Sequence, residues 1–158
     1  MSDRTFKKLN MKDADVYYCP DFFKEHELWY SLVDNSVEWD QFDVMVMGKK
    51  FKSPRDNFYM ADNSLPYRYS GFDRTPSKWT VVVSEMKNIL EKSIQEIEPT
   101  HPKLNACLGN RYNNGKQYIG SHSDDERDLY KNAFIISVSL GATRDFIFTN
   151  KKTTDKVN

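Results

Sequence analysis

The sequence predicts an α+β protein, with helices early, strands late and an antiparallel sheet. Three observations carry that expectation. From residue 79 to 98, Val82, Met86, Ile89, Leu90, Ile94 and Ile97 recur at helical spacing, and Pro99 ends the run. Beyond Pro99 that period is lost, and residues 104–112, 134–140 and 145–149 read as strands. Turn signals separate them, Asn113-Asn114-Gly115 after the first and Gly141-Ala142-Thr143 after the second. Helices and strands segregated along a chain define the α+β class.

The remaining elements follow in chain order. Pro20-Asp21 opens a helix with Asp21 as its N-cap; Phe22, Leu28, Trp29, Leu32 and Val33 form its apolar face, and Asp34-Asn35 stops it. Residues 43–51 read as a strand, a tight turn at Gly48 and a returning strand, which Ser53-Pro54-Arg55 breaks. Residues 56–76 hold Asp, Asn, Pro, Gly and the aromatics Phe58, Tyr59, Tyr67 and Tyr69, and read as a long irregular segment of the kind that carries function. The tail, residues 151–158, is polar and expected to fray. No internal repeat or low-complexity tract interrupts the chain.

Composition bounds the functions. With 158 residues, 39% of them hydrophobic, the chain suits one modest domain with one core. Aromatics make up 14% and serve a core, a pocket wall or base stacking alike. A formal net charge of zero excludes a histone-like basic binder but not a local patch. Lys49, Lys50, Lys52 and Arg55 form such a patch, either a solvated loop or a phosphate-contacting one. Two cysteines without a CxxC pair predict neither a disulfide framework nor a structural zinc site, and point to a reducing, intracellular setting. The N-terminus carries no apolar leader and no stretch is apolar enough to span a bilayer, so a soluble protein with no membrane partner is expected.

His122 and Asp124 carry the chemistry. On an extended strand, side chains two apart point the same way. An imidazole and a carboxylate so placed reach one metal ion, and a non-haem Fe(II) oxygenase site needs two His and one carboxylate on one face of the ion. His-x-Asp alone is also what a surface turn rich in Asp looks like. Its surroundings distinguish the two. Asn110-Arg111-Tyr112-Asn113-Asn114-Gly115 precedes it, Ile119-Gly120 leads in, Asp125-Glu126 follows, and Ser137-Val138-Ser139-Leu140-Gly141-Ala142-Thr143-Arg144-Asp145-Phe146 comes next.

This ordered set resembles the AlkB-like Fe(II)- and 2-oxoglutarate-dependent dioxygenases, and most of all their animal-type nuclear DNA repair members. Upstream, Val46-Met47-Gly48-Lys49, Ser53-Pro54-Arg55 and Tyr67-Arg68-Tyr69-Ser70-Gly71 resemble that subgroup's substrate-recognition region. The resemblance implies a fold of early helices and a recognition hairpin packed on a double-stranded β-helix, or jelly-roll. Residues 1–158 would then form a single domain, with helices and nucleotide recognition in residues 1–100 and the first half of the β-helix in residues 101–158. It also implies Fe(II), 2-oxoglutarate and O2 as cofactor and cosubstrates.

Residue by residue, the resemblance gives iron to His122 and Asp124, and 2-oxoglutarate to Asn110 and Tyr112. Asp125 and Glu126 would read the damaged base, and Tyr67 and Tyr69 would wall its pocket, replacing the stacking an extruded base loses. Met47, next to Gly48, would be an apolar wedge at the hairpin tip that fills the gap in the duplex. Lys49, Lys50 and Arg55 would meet phosphates or the opposite strand. The implied reaction is oxidative dealkylation of N-alkylated bases in DNA, duplex in preference to single strand. Its place is the nucleus of a eukaryotic cell or the cytoplasm otherwise.

The sequence departs from the family downstream. The family pattern has a second iron-binding His and then an Arg for the far carboxylate of 2-oxoglutarate, whereas no His follows His122, and Arg127 and Arg144 belong to other motifs. His26 and His101 lie in or beside expected helices and are not expected to be ligands. The sequence therefore reads as truncated within the β-helix: a fragment, a decayed copy, or a chain completed by a second polypeptide. On that reading it binds iron weakly and turns over slowly. The alternatives are a non-catalytic module that binds damaged DNA, and a dioxygenase of the same class acting on RNA or protein.

Overall fold

The computed structural model describes residues 4–65, 67–69, 71–101, 103–124, 129 and 134–158. They fall into two compact units: Met1–Leu32 with Val138–Asn158, and Val33–Ser137. Helices and small antiparallel pairs of strands make up both, in keeping with the mixed class read from the sequence.

The core of the second unit is built on two strands. β5 (Asp56–Ala61) pairs antiparallel with β8 (Ala106–Arg111), from Asp56↔Arg111 to Ala61↔Ala106. Asn57 to Ala61 are all buried, so β5 is an interior strand without the polar–apolar alternation of a surface one. Isolated bridges, Asp40↔Asn57 and Met60↔Ser77, flank it as well. This corrects the expectation of an irregular segment over residues 56–76: the Asp-Asn start disguised a strand whose backbone is bonded on both edges. Phe58 and Met60 pack with Val83, and Val33, Val37, Trp39, Trp79 and Cys107 close around them. Gly109 lies opposite Phe58 because nothing larger fits; a Cβ there would stand 2.0 Å from the ring.

Helix α2 (Val81–Ile94) brings Val83 to this core. Thr80 caps it, its side chain accepting from the Val83 N–H at 3.3 Å. It stops short of the expected residue 98 because the chain tightens into a bond from Ile97 N–H to Ile94 O. The hairpin forms as the sequence predicts. β3 (Asp43–Val46) and β4 (Lys49–Lys52) pair across a turn in which Met47 and Gly48 both have positive φ, 49° and 74°. Two such residues define the type I′ turn that suits strand twist. β6 (Tyr67–Tyr69) pairs with β7 (Phe72–Arg74), and a Cβ on Gly71 would stand 3.8 Å from Met45.

In the first unit, β1 (Lys7–Lys8) pairs with β2 (Tyr17–Tyr18), and β9 (Phe148–Thr149) with β10 (Lys156–Val157). The tail is therefore paired rather than frayed. Phe6, Phe22, Phe23 and Trp29 form a chain of ring contacts around buried Phe23. Helix α1 (His26–Ser36) spans the division between the units. Asp21 is not its cap: it sits in a turn at φ 50°, and the first helical bond runs from Trp29 N–H to Glu25 O. The expected strand at residues 134–140 keeps alternating half-buried and exposed positions but has no ladder among the described residues. The expected strand at residues 145–149 shortens to Phe148–Thr149.

Candidate metal and cosubstrate site

His122 and Asp124 lie in a segment without regular secondary structure, yet their side chains meet, with His122 Nε2 3.3 Å from Asp124 Oδ1. His122 Nδ1 stands 2.8 Å from Gly120 O. A carbonyl only accepts, so Nδ1 carries a proton and Nε2 is the atom turned toward Asp124. In a neutral imidazole Nε2 then offers a lone pair. Two acceptors face each other, an arrangement that a proton or a shared cation satisfies. Donors each about 2.0–2.2 Å from one ion stand roughly 3 Å apart, so the pair fits a metal's span. Each side chain is about two-fifths exposed, which leaves an open side. Among the described residues no third His, Cys, Asp or Glu joins them. His101 is engaged elsewhere, its Nε2 accepting from Phe134 N–H at 3.3 Å.

Asn110 sits in β8 directly opposite Asn57. Its Oδ1 accepts from Arg55 Nε at 2.6 Å and from Asn57 Nδ2 at 2.8 Å. Tyr112 lies two residues on and is half-buried. Arg111, between them, donates to Asp56 Oδ2 from Nε and Nη2 at 3.1 and 2.8 Å, and to Asp34 from Nη1 at 2.8 Å. Its guanidinium lies 4.7 Å from the centre of the Trp39 ring. The Asp56 carboxyl is held below its ordinary value, first by the hydrogen bond from Asn113 and then by that from Arg111, against the opposing effect of burial.

The hairpin tip matches its expected exposure: Met47 is 99% exposed. The basic patch is more divided than the sequence suggested. Lys50 and Lys52 share Asp43, at 3.0 and 3.3 Å, while Lys49 is exposed and makes no ion pair among the described residues. Arg55 departs from expectation. It is 4% exposed, turned inward to Asn110, and unavailable to phosphates in this conformation. Ser53 fixes the turn, its hydroxyl lying between Arg55 O and Asn57 Oδ1. Tyr67 packs on Tyr59, ring centres 5.3 Å apart. Asp125 and Glu126 lie outside the described residues, as does the side chain of Tyr69.

Sequence reasoning missed Asn57 and Asp43. A strand facing β8 would have exposed the first through the Asn57–Asn110 pairing. The second is the only acidic side chain in the hairpin strands and stands across from Lys52.

A paired His and Asp on a chain of helices and small antiparallel strand pairs is compatible with a non-haem iron oxygenase. The chain belongs to the 2OG-Fe(II) oxygenase superfamily, whose family model matches residues 15–158. Its relatives lie among the AlkB-like members. It is 39% identical over 113 residues to the mouse (Mus musculus) DNA oxidative demethylase ALKBH2, covering 72% of this chain and 45% of the relative. The Arabidopsis thaliana protein of the same name is 31% identical over 142 residues, 88% of this chain and 44% of its own length. The cattle (Bos taurus) alpha-ketoglutarate-dependent dioxygenase alkB homolog 3 is 32% identical over 139 residues, 86% and 46%. The chain thus spans less than half the length of these curated relatives. No helix among the described residues is long and apolar enough to cross a membrane.

Proposed function

We propose that this protein repairs DNA by oxidative removal of N-alkyl groups from bases, using Fe(II), 2-oxoglutarate and O2. The observation that carries the reading is the His122–Asp124 pair, two lone-pair donors 3.3 Å apart with the imidazole held by Gly120 O, in a chain of the 2OG-Fe(II) oxygenase superfamily. The relatives named as DNA oxidative demethylases give the substrate class. On this reading residues 101–158 carry the first half of a jelly-roll within one AlkB-like domain, and β3–β4 is the recognition hairpin.

When bound, iron and the two cosubstrates would supply the oxidising chemistry, one oxygen atom of O2 going to the alkyl carbon as 2-oxoglutarate is converted to succinate and carbon dioxide, so that the hydroxyalkyl group would leave as an aldehyde and restore the base. The chain's own residues bind and orient. His122 and Asp124 would hold the metal, and Asn110 with Tyr112 would hold the cosubstrate. Tyr67 and Tyr69 give an extruded base flat partners, and Asp125 and Glu126 meet its polar edge. Met47 enters the duplex from an exposed turn, and Lys49, exposed and without an ion pair among the described residues, meets a phosphate. A wedge suits duplex DNA over a single strand. Such work places the protein in the nucleus of a eukaryote or the cytoplasm of a prokaryote.

The test incubates the protein with N-methylated duplex DNA, single-stranded DNA and RNA, and measures formaldehyde and the restored base. Release that needs iron, 2-oxoglutarate and His122, greatest on the duplex, is expected. Release indifferent to His122→Ala contradicts the reading, and release confined to RNA corrects its substrate.

A further inference from the structure

We infer that Arg55 and Asn57 are positioning residues that lock the Asn110 amide with its oxygen inward and its NH2 group outward, so that this subsite takes an oxyanion, such as a carboxylate of 2-oxoglutarate. The inference rests on the cosubstrate reading of Asn110.

An Asn side chain has two orientations, and its neighbours decide between them. Arg55 Nε–H only donates, so the Asn110 atom 2.6 Å from it is oxygen. The second neighbour agrees. The Phe42 N–H donates to Asn57 Oδ1 at 3.4 Å. This turns Asn57 Nδ2 toward Asn110, where it donates at 2.8 Å. Both lone pairs of the Asn110 oxygen are thereby filled. Its NH2 group makes no hydrogen bond among the described residues, so what Asn110 offers a ligand is a pair of donors.

The setting is buried. Ser53, Arg55 and Asn57 are 1%, 4% and 2% exposed, and Asn57 faces Asn110 across the β5–β8 ladder. Arg55 makes no ion pair among the described residues. A buried guanidinium without a carboxylate is costly unless it serves something anionic. Behind an outward NH2 group it adds positive potential to the subsite.

The decisive variant is Asn110→Asp. Its carboxylate keeps oxygen toward Arg55 and Asn57 and gives Arg55 a counter-charge, but the outward atom becomes an acceptor. Calorimetric titration with 2-oxoglutarate, Mn(II) standing in for iron, should show affinity weakened by roughly tenfold or more, from a loss of a charge-assisted bond. The thermal midpoint should hold or rise. Arg55→Leu should weaken binding by about tenfold as well, and Arg55→Lys should restore part of it. A lowered midpoint in Asn110→Asp, or unchanged affinity in Asn110→Asp and Arg55→Leu alike, overturns the positioning role while leaving the cosubstrate reading in place. Absence of binding by the folded parent protein overturns the cosubstrate reading itself, and this inference with it.

Discussion

Replacing Arg111 with Met, which keeps the hydrocarbon stem against Trp39, removes the cation that joins Asp34, Asp56 and β8. The magnitude follows from exposure. Arg111 and Asp56 are only 27% and 15% exposed in their side chains, so their paired hydrogen bonds work in a shielded setting. A charged bond of that kind contributes about 1.5–3 kcal/mol. The Asp34 arm, with its carboxylate 31% exposed, adds less, about 0–1 kcal/mol. Met leaves Asp56 with its bond from Asn113 and no cation. Together these predict a loss of about 2–4 kcal/mol, or a midpoint lower by roughly 5–15 °C. Urea unfolding of the parent, Arg111→Met, Asp56→Asn and the double variant measures both the loss and the coupling, which should reach about 1 kcal/mol or more. The acid limb carries a further signature. Asp56 titrates below its ordinary value in the folded state, so its stabilising contribution is whole above the unfolded value of about 3.9 and fades as pH falls through the folded one. The parent should therefore lose more stability than Asp56→Asn between about pH 5 and 2. A loss under about 0.5 kcal/mol in Arg111→Met, or zero coupling, would show that this cation does not hold Asp34 and Asp56 to β8.

Two further predictions concern the backbone. Met47 holds a left-handed conformation, φ 49°, with its side chain wholly in solvent. Met47→Asn, suited to that conformation, should stabilise the fold by about 0.5–1 kcal/mol while weakening action on duplex DNA; a variant that gains stability and keeps full duplex preference shows that Met47 is no wedge. Gly109→Ala should cost about 2 kcal/mol or more, or prevent folding, since its Cβ would meet the Phe58 ring at 2.0 Å; an unchanged urea midpoint contradicts that packing.

What was legible in the sequence was local. The I′ hairpin, the α2 periodicity and the Asn113-Asn114-Gly115 turn each depend on a few neighbouring residues, and each formed. β5 was not legible, because a strand buried on both faces loses the alternation that betrays a surface strand, and Asp-Asn at its start resembles a loop. Arg55 was misplaced for a related reason. Charge on the sequence suggests solvent, whereas Asn57 and Asn110, far apart along the chain, supply the polar lining that draws it inward. Residues 134–140 show the converse. Their alternation is intact, but a strand also requires a hydrogen-bonded neighbour, which the pattern does not provide. The His122–Asp124 juxtaposition was legible from spacing of two, although the segment is not a laddered strand.

His122 and Asp124 are proposed to hold a metal ion together. Equilibrium titration with Mn(II) in the presence of 2-oxoglutarate, followed by electron paramagnetic resonance, tests it directly in the parent, His122→Ala and Asp124→Ala. Saturable binding in the parent that both substitutions remove is the predicted result. Binding of equal affinity in the parent and either variant would contradict that role.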